Sequence, residues 1–141
     1  MRNRIQSILT IIFVGIVIFS CDNEEIIAEK VQVKTDKNTY MDLQDIIITI
    51  TNNSDELLEF YICNGKQFPT YELQRFNGKW SIIAASICNG FSSYCCGVMK
   101  IGETKKDTLI SNWLDKGKYR FKYSFGTDNS KVFYSNQFNI D

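Results

Sequence analysis

The chain has 141 residues, with 16 basic and 16 acidic side chains, five cysteines and no histidine. The missing histidine removes Ser-His-Asp and Cys-His catalysis, histidine-ligated zinc and the usual general base near neutral pH. The balanced charge offers no basic patch to a nucleic-acid backbone.

At the N-terminus Arg2 and Arg4 precede an apolar run from Ile8 to Phe19. A basic head and a short apolar run make a secretory signal, below the roughly 20 residues that span a bilayer comfortably. The run ends in Ile18-Phe19-Ser20-Cys21. This seam resembles the lipobox of bacterial lipoproteins, in which signal peptidase II cuts before the cysteine and diacylglycerol is attached to its thiol. Phe19 is bulkier than the residue usual there. The resemblance implies a signal over residues 1–20 and lipid attachment at Cys21. Three acyl chains at about 0.8 kcal/mol per buried CH₂ would make the membrane anchor permanent. Asp22, Glu24 and Glu25 follow at once. In the enterobacterial sorting code an Asp after the cysteine implies inner-membrane retention. In other Gram-negative groups acidic residues there resemble a surface-export signal. The low-proline, Asn- and Ile-rich composition favours the second code, hence an outer-membrane or cell-surface location in the envelope.

Without residues 1–20 the chain keeps 121 residues, fourteen basic and sixteen acidic, a net charge of −2. That length suits one domain with a core of its own. Residues 21–30 are acidic, lack turn formers and read as a lipidated tether; residues 31–141 read as the domain. Short runs of period-two alternation follow, divided by Asn, Asp, Gly and Ser. Val31 and Val33 share one face. Ile46, Ile48 and Ile50 oppose Ile47, Thr49 and Thr51, and the run stops in a polar turn. Leu58, Phe60 and Ile62 form an inward set. Asn77-Gly78 lies between two β-prone arms and predicts a type I′ hairpin turn, which needs positive φ at both residues. Tyr71 on one arm is expected in the core. Ser111–Asp115 predicts a helical turn capped by Ser111. Tyr119, Phe121, Tyr123 and Phe125 oppose Lys118, Arg120, Lys122 and Ser124. Val132, Tyr134, Phe138 and Ile140 are expected on one parity. The predicted framework core is Ile48, Ile50, Phe60, Leu73, Tyr119, Phe121 and Tyr123. Seven or eight short strands with turns every 8–12 residues describe an all-β, antiparallel β-sandwich.

The order of "KNTY" at Lys37, "IIITITNNSD" at Ile46, "YELQRFNGKW" at Tyr71, "IGET" at Ile101, "LDKGKYRFKY" at Leu114 and "SNQF" at Ser135 resembles bacterial immunoglobulin-like domains. The likeness covers nearly all of Val31–Ile140 and implies an immunoglobulin-like sandwich. Lys116 and Ile101 stand where that family usually carries proline, which leaves those turns less rigid. Tyr119, just after Gly117, sits where sandwiches often place a tyrosine whose hydroxyl bonds back to the upstream chain. The resemblance transfers no catalytic residue, because the family shares no active site.

Once Cys21 is lipidated, Cys63, Cys88, Cys95 and Cys96 remain, and an even count in an exported domain implies disulfides. Of the three pairings, the one containing a vicinal Cys95–Cys96 bond closes a strained eight-membered ring and ranks last. The other two tie Cys88 to one of the adjacent pair and Cys63 to the other. Zinc would favour Cys-x₂₋₄-Cys spacing, which "CNGFSSYCC" does not offer, so no metal or cofactor is expected. The segment from Cys88 to Met99 carries Phe91 and Tyr94 among Gly and Ser, a binding-loop composition, so these two aromatics mark the candidate binding loop. The plainer reading has them filling a gap at one end of the sandwich.

Three function classes follow. The leading expectation is a lipid-anchored cell-envelope binding or accessory module without catalytic activity, held to the membrane at Cys21 and presenting loops to a protein or glycan. The alternative is an anchored proteinase inhibitor acting through the braced loop. An enzyme using Glu56 with Glu59, or Asp42 with Asp45, ranks last, because carboxylates at strand ends are usually solvated.

Overall fold

The computed structural model describes residues 30–41, 43–63, 66–86, 97–126 and 128–141. These form strands and turns without a helix: β1 (Val31–Thr35), β2 (Thr39–Tyr40), β3 (Asp45–Asn52), β4 (Leu58–Phe60), β5 (Ile62–Cys63), β6 (Lys66–Pro69), β7 (Tyr71–Phe76), β8 (Trp80–Ala85), β9 (Gly97–Met99), β10 (Thr104–Ile110), β11 (Gly117–Phe125), β12 (Lys131–Tyr134) and β13 (Phe138–Ile140). Eight of the segments run four residues or more, and five are shorter. One sheet has the order β1-β3-β10. The larger has the order β2-β13-β11-β7-β8, with β12 also on β11. Pairing is antiparallel throughout except for β2 beside β13. The short pairs β4-β9 and β5-β6 complete a β-sandwich.

The inner faces of the two sheets share one core. Val31, Val33, Ile46, Ile48 and Ile50 come from the smaller sheet, and Leu73, Tyr119, Phe121, Tyr123, Phe125 and Phe138 from the larger. All seven predicted framework residues are buried to 1% exposure or less. Alternation placed them correctly because successive strand residues face opposite sides. Tyr71 is half-buried and packs its ring 5.3 Å from Phe121. Gly97 lies so close beneath the Phe60 ring that a β-carbon would fall 2.0 Å from it, which leaves room for glycine alone.

Polar clamps fix the path between strands. The Asn52 amide is fully buried and donates to the carbonyls of Glu56, Met99 and Lys100, while its Oδ1 accepts from the Ser54 N–H and hydroxyl. Between β1 and β2 the chain crosses from one sheet to the other. There Asp36 Oδ1 accepts the Tyr40 hydroxyl at 2.6 Å and the Ile47 N–H at 3.0 Å. Asn136 ties the same crossing to β13, accepting the Thr35 N–H and donating to Thr35 Oγ1 and Asn38 Oδ1. The Tyr119 hydroxyl donates to the Asp115 carbonyl at 2.6 Å, the backward bond expected of it.

Three local expectations are corrected. Asn77-Gly78 does turn a hairpin, but Phe76 pairs with Trp80, so the loop holds three residues. Gly78 alone takes positive φ, 73°, whereas a type I′ turn needs it at Asn77 as well. Ser111 caps no helix. Residues 111–114 make one turn closed by the Leu114 N–H on the Ser111 carbonyl, and the Ser111 hydroxyl reaches the Gln44 carbonyl instead. β11 begins at Gly117, too soon for a helix to propagate. Val132 and Tyr134 do not share the inward face of Phe138 and Ile140 but stand 38% and 46% exposed. The chain leaves strand geometry at Asn136 and Gln137, the parity resets, and Phe133 packs inward against Phe125.

Phe121 is fully buried, with Phe138 stacked 5.5 Å away. Phe121→Ala should cost roughly 3–5 kcal/mol in urea unfolding. A loss under about 1 kcal/mol would contradict its central place.

Burial pushes the Tyr40 hydroxyl up to about 12, and its bond to Asp36 adds to that. Burial likewise raises Tyr71, Tyr119 and, most of all, Tyr123. A folded-state value above the unfolded value of about 10 gives stability that is complete below pH 10 and drains as pH rises toward 12. Tyrosinate absorbance of these four residues should therefore appear together with unfolding, as one cooperative step. Independent ionisation at pH 10 in a folded chain would refute it.

Candidate functional site

Period-two alternation on β11 turns Lys118, Arg120 and Lys122 outward, and register places them beside Phe76, Gln74 and Glu72 of β7. Trp80 of β8 pairs with Phe76, and Tyr134 of β12 pairs with Lys122. On this outer face the Arg120 guanidinium lies between two rings, 4.2 Å from the Trp80 centroid and 4.0 Å from that of Tyr134. Its Nε donates to Gln74 Oε1 at 2.8 Å, which fixes the plane. Lys118 lies over Phe76, and the Phe76 and Trp80 rings are 5.2 Å apart. Arginine suits such a stack because its flat, weakly hydrated cation meets a ring face to face.

One end of this face opens into a cleft of about 440 Å³. Tyr61, Ile62, Thr70, Tyr71 and Glu72 line one side; Ala85, Ser86, Lys122, Ser124, Asn129 and Val132 line the other. Ser86 closes the end of the β7–β8 ladder, giving its N–H to the Tyr71 carbonyl and accepting the Tyr71 N–H on its hydroxyl. Glu72 and Lys122 form an ion pair at 3.0 Å, so the cleft carries opposite charges side by side and no net field. Asn129 holds a left-handed conformation, φ 55°, inside the turn that Asp128 stabilises through the Ser130 N–H. Hydrogen bonding from Ser130 holds the Asp128 carboxyl below its ordinary value. Beneath the cleft, Tyr123 packs 6.1 Å from Tyr71, and its buried hydroxyl has no hydrogen-bond partner.

Of the residues singled out in the sequence, Cys63 lies at the end of β5, 8% exposed, and is engaged rather than free. Cys21, Cys88, Cys95, Cys96, Phe91 and Tyr94 lie outside the described residues. So does the loop on which the proteinase-inhibitor reading turns. Residues 87–96 follow directly on Ser86 at the cleft, and the chain resumes in β9, which pairs with β4. Glu56 pairs with Lys131 at 2.6 Å, Asp45 and Glu59 are exposed, and Asp42 lies outside the described residues. Among the described residues no three His, Cys, Asp or Glu side chains gather as a metal set, and no helix is long and apolar enough to cross a membrane.

Sequence reasoning missed the cleft, because its walls come from five stretches of chain between Tyr61 and Val132. It also missed the stacked arginine. Arg120 lies on β11 and Trp80 on β8, on either side of β7, so only the tertiary pairing of β11 with β7 brings them together.

Arg120→Ala should lower stability by about 1–2 kcal/mol, since it strips a cation from two rings and a partner from Gln74. Thermal unfolding measures this. Arg120→Lys should recover less than half of the loss, because an ammonium cannot lie flat between rings; full recovery would show that charge alone matters. No protein-family model and no curated protein matches this chain.

Proposed function

We propose that this chain is a lipid-anchored module of the bacterial cell envelope that binds a partner and carries out no chemistry itself. The observation that carries the reading is the cleft at the end of β8, from whose Ser86 rim the cysteine-rich segment departs. Strands β5, β7, β8, β11 and β12 supply most of its walls, and its Glu72 and Lys122 are paired with each other. A site of this kind positions a ligand.

The immunoglobulin-like reading gains support from the first strand, divided between β1 antiparallel to β3 and β2 parallel to β13. The Tyr119–Asp115 bond at the start of β11 supports it as well. The buried, engaged Cys63 supports disulfide bracing of the segment that holds Cys88, Cys95 and Cys96. Lys30 and Val31 line a second, smaller cleft that shares Val132 with the first. The described domain therefore begins, at Lys30, beside the region that carries the site. With signal removal before Cys21 and acylation of its thiol, the domain belongs to the outer membrane or surface of a Gram-negative cell.

Mass spectrometry of the membrane-extracted chain should show an N-terminal acylated Cys21, and no alkylation of the other four cysteines without prior reduction. An intact Met1, or a free Cys21 thiol on secreted protein, would overturn the anchor.

A further inference from the structure

We infer that the cleft between Tyr61 and Val132 takes an uncharged sugar, one or two rings of a neutral glycan. This rests on the reading of the chain as a binding module and names its ligand class.

The polar side chains around the cleft have spare hydrogen-bonding capacity. Thr70, Ser124 and the Asn129 amide line it and make no side-chain hydrogen bond among the described residues. The Ser86 hydroxyl accepts one bond from Tyr71 and keeps its own proton to donate. Hydroxyls and a carboxamide both donate and accept, which matches the vicinal hydroxyls of a sugar, each of them donor and acceptor at once. Ile62, Ala85 and Val132 supply apolar wall for the C–H faces of a ring.

The electrostatics select against charge. Glu72 and Lys122 neutralise each other across 3.0 Å. An anion would have to draw Lys122 from Glu72, and a cation would have to draw Glu72 from Lys122. A neutral polyol can bond to the free valences of both ions and leave the pair intact. The volume, about 440 Å³, lies within the range of small-ligand pockets.

The test is saturation-transfer NMR on the full detergent-extracted chain, with maltose, cellobiose and N,N′-diacetylchitobiose as neutral probes and digalacturonate as the charged control. At least one neutral disaccharide should receive saturation at millimolar concentration, and digalacturonate should not. Asn129→Ala and Ser124→Ala should each weaken that binding by about three- to tenfold, the worth of one hydrogen bond, with unchanged circular dichroism. Three results would overturn the inference: no transfer to any neutral probe, equal transfer to digalacturonate, or binding indifferent to both variants. If acylated Cys21 is found but the sugars fail, the anchored-module reading stands and the glycan alone falls.

Discussion

Nearly every feature of the molecule is registered against the alternation of β11. Four aromatics in a row, Tyr119, Phe121, Tyr123 and Phe125, point inward and are buried to 1% exposure or less. They set the spacing for their partners: Phe138 stacks on Tyr119 and Phe121, Phe68 meets Tyr123 edge-on, and Phe60 meets Phe125 edge-on. Slipping the strand by one residue would exchange this whole row for Lys118, Arg120, Lys122 and Ser124. Burying three cations and exposing four rings is so costly that the register has no competitor. The same alternation lays the cations along the outer face, where their neighbours are aromatic. The stacked Arg120 and the Glu72–Lys122 pair at the cleft are thus the reverse side of the core.

Hydrophobic alternation alone does not say where a strand must stop or change sheets, and the buried polar groups supply that. Asn52 ends β3 by binding the carbonyls of Glu56, Met99 and Lys100, which ties the strand end to the segment after β9. Asp36 directs the crossing from β1 to β2. Its burial would raise its carboxyl, but the Tyr40 hydroxyl and the Ile47 amide outweigh that and hold it below the ordinary value. Such groups are strongly directional, because leaving one unpaired costs about 1–3 kcal/mol. Tyr123 departs from this rule. Its hydroxyl pairs with nothing although its ring is central to the core.

How far the sequence could be read follows from this division. Strands β3 and β11 were legible because eight and nine residues alternate without interruption, and the framework core followed from them. The hairpin at Asn77-Gly78 was legible as a turn. Its type was not, since the pairing of Phe76 with Trp80 decides the loop length, and pairing is a tertiary fact. Val132 and Tyr134 were misplaced for a related reason: two residues of irregular chain, fixed by Asn136 side-chain bonds to distant Thr35, reset the parity. Asn52 read as one turn residue among several, because its partners at Met99 and Lys100 are almost fifty positions away. The cleft was invisible on the same ground. It exists where β7, β8 and β11 end together.

The free edges bear on what kind of binder such a sandwich can be. An unguarded edge strand invites pairing with another chain. The β1 edge is met by β12, with a bridge from Val33 to Ser135. β10 places Lys105 and Asp107 at inward-facing positions, and the Lys105 ammonium is held by Glu103 at 3.0 Å and lies over the Phe60 ring. β8 carries no charge and exposes Ile82 and Ile83, but it is interrupted: Gln74 pairs with Ile82 and Leu73 with Ala84, so Ile83 is an extra residue that bends the strand. These three edges are blunted by different devices, a neighbouring strand, an inward charge and a bulge. A sheet protected in this way recognises partners through side chains. Strand ends are where side chains from several elements converge, and the cleft beside Ser86 is such a place.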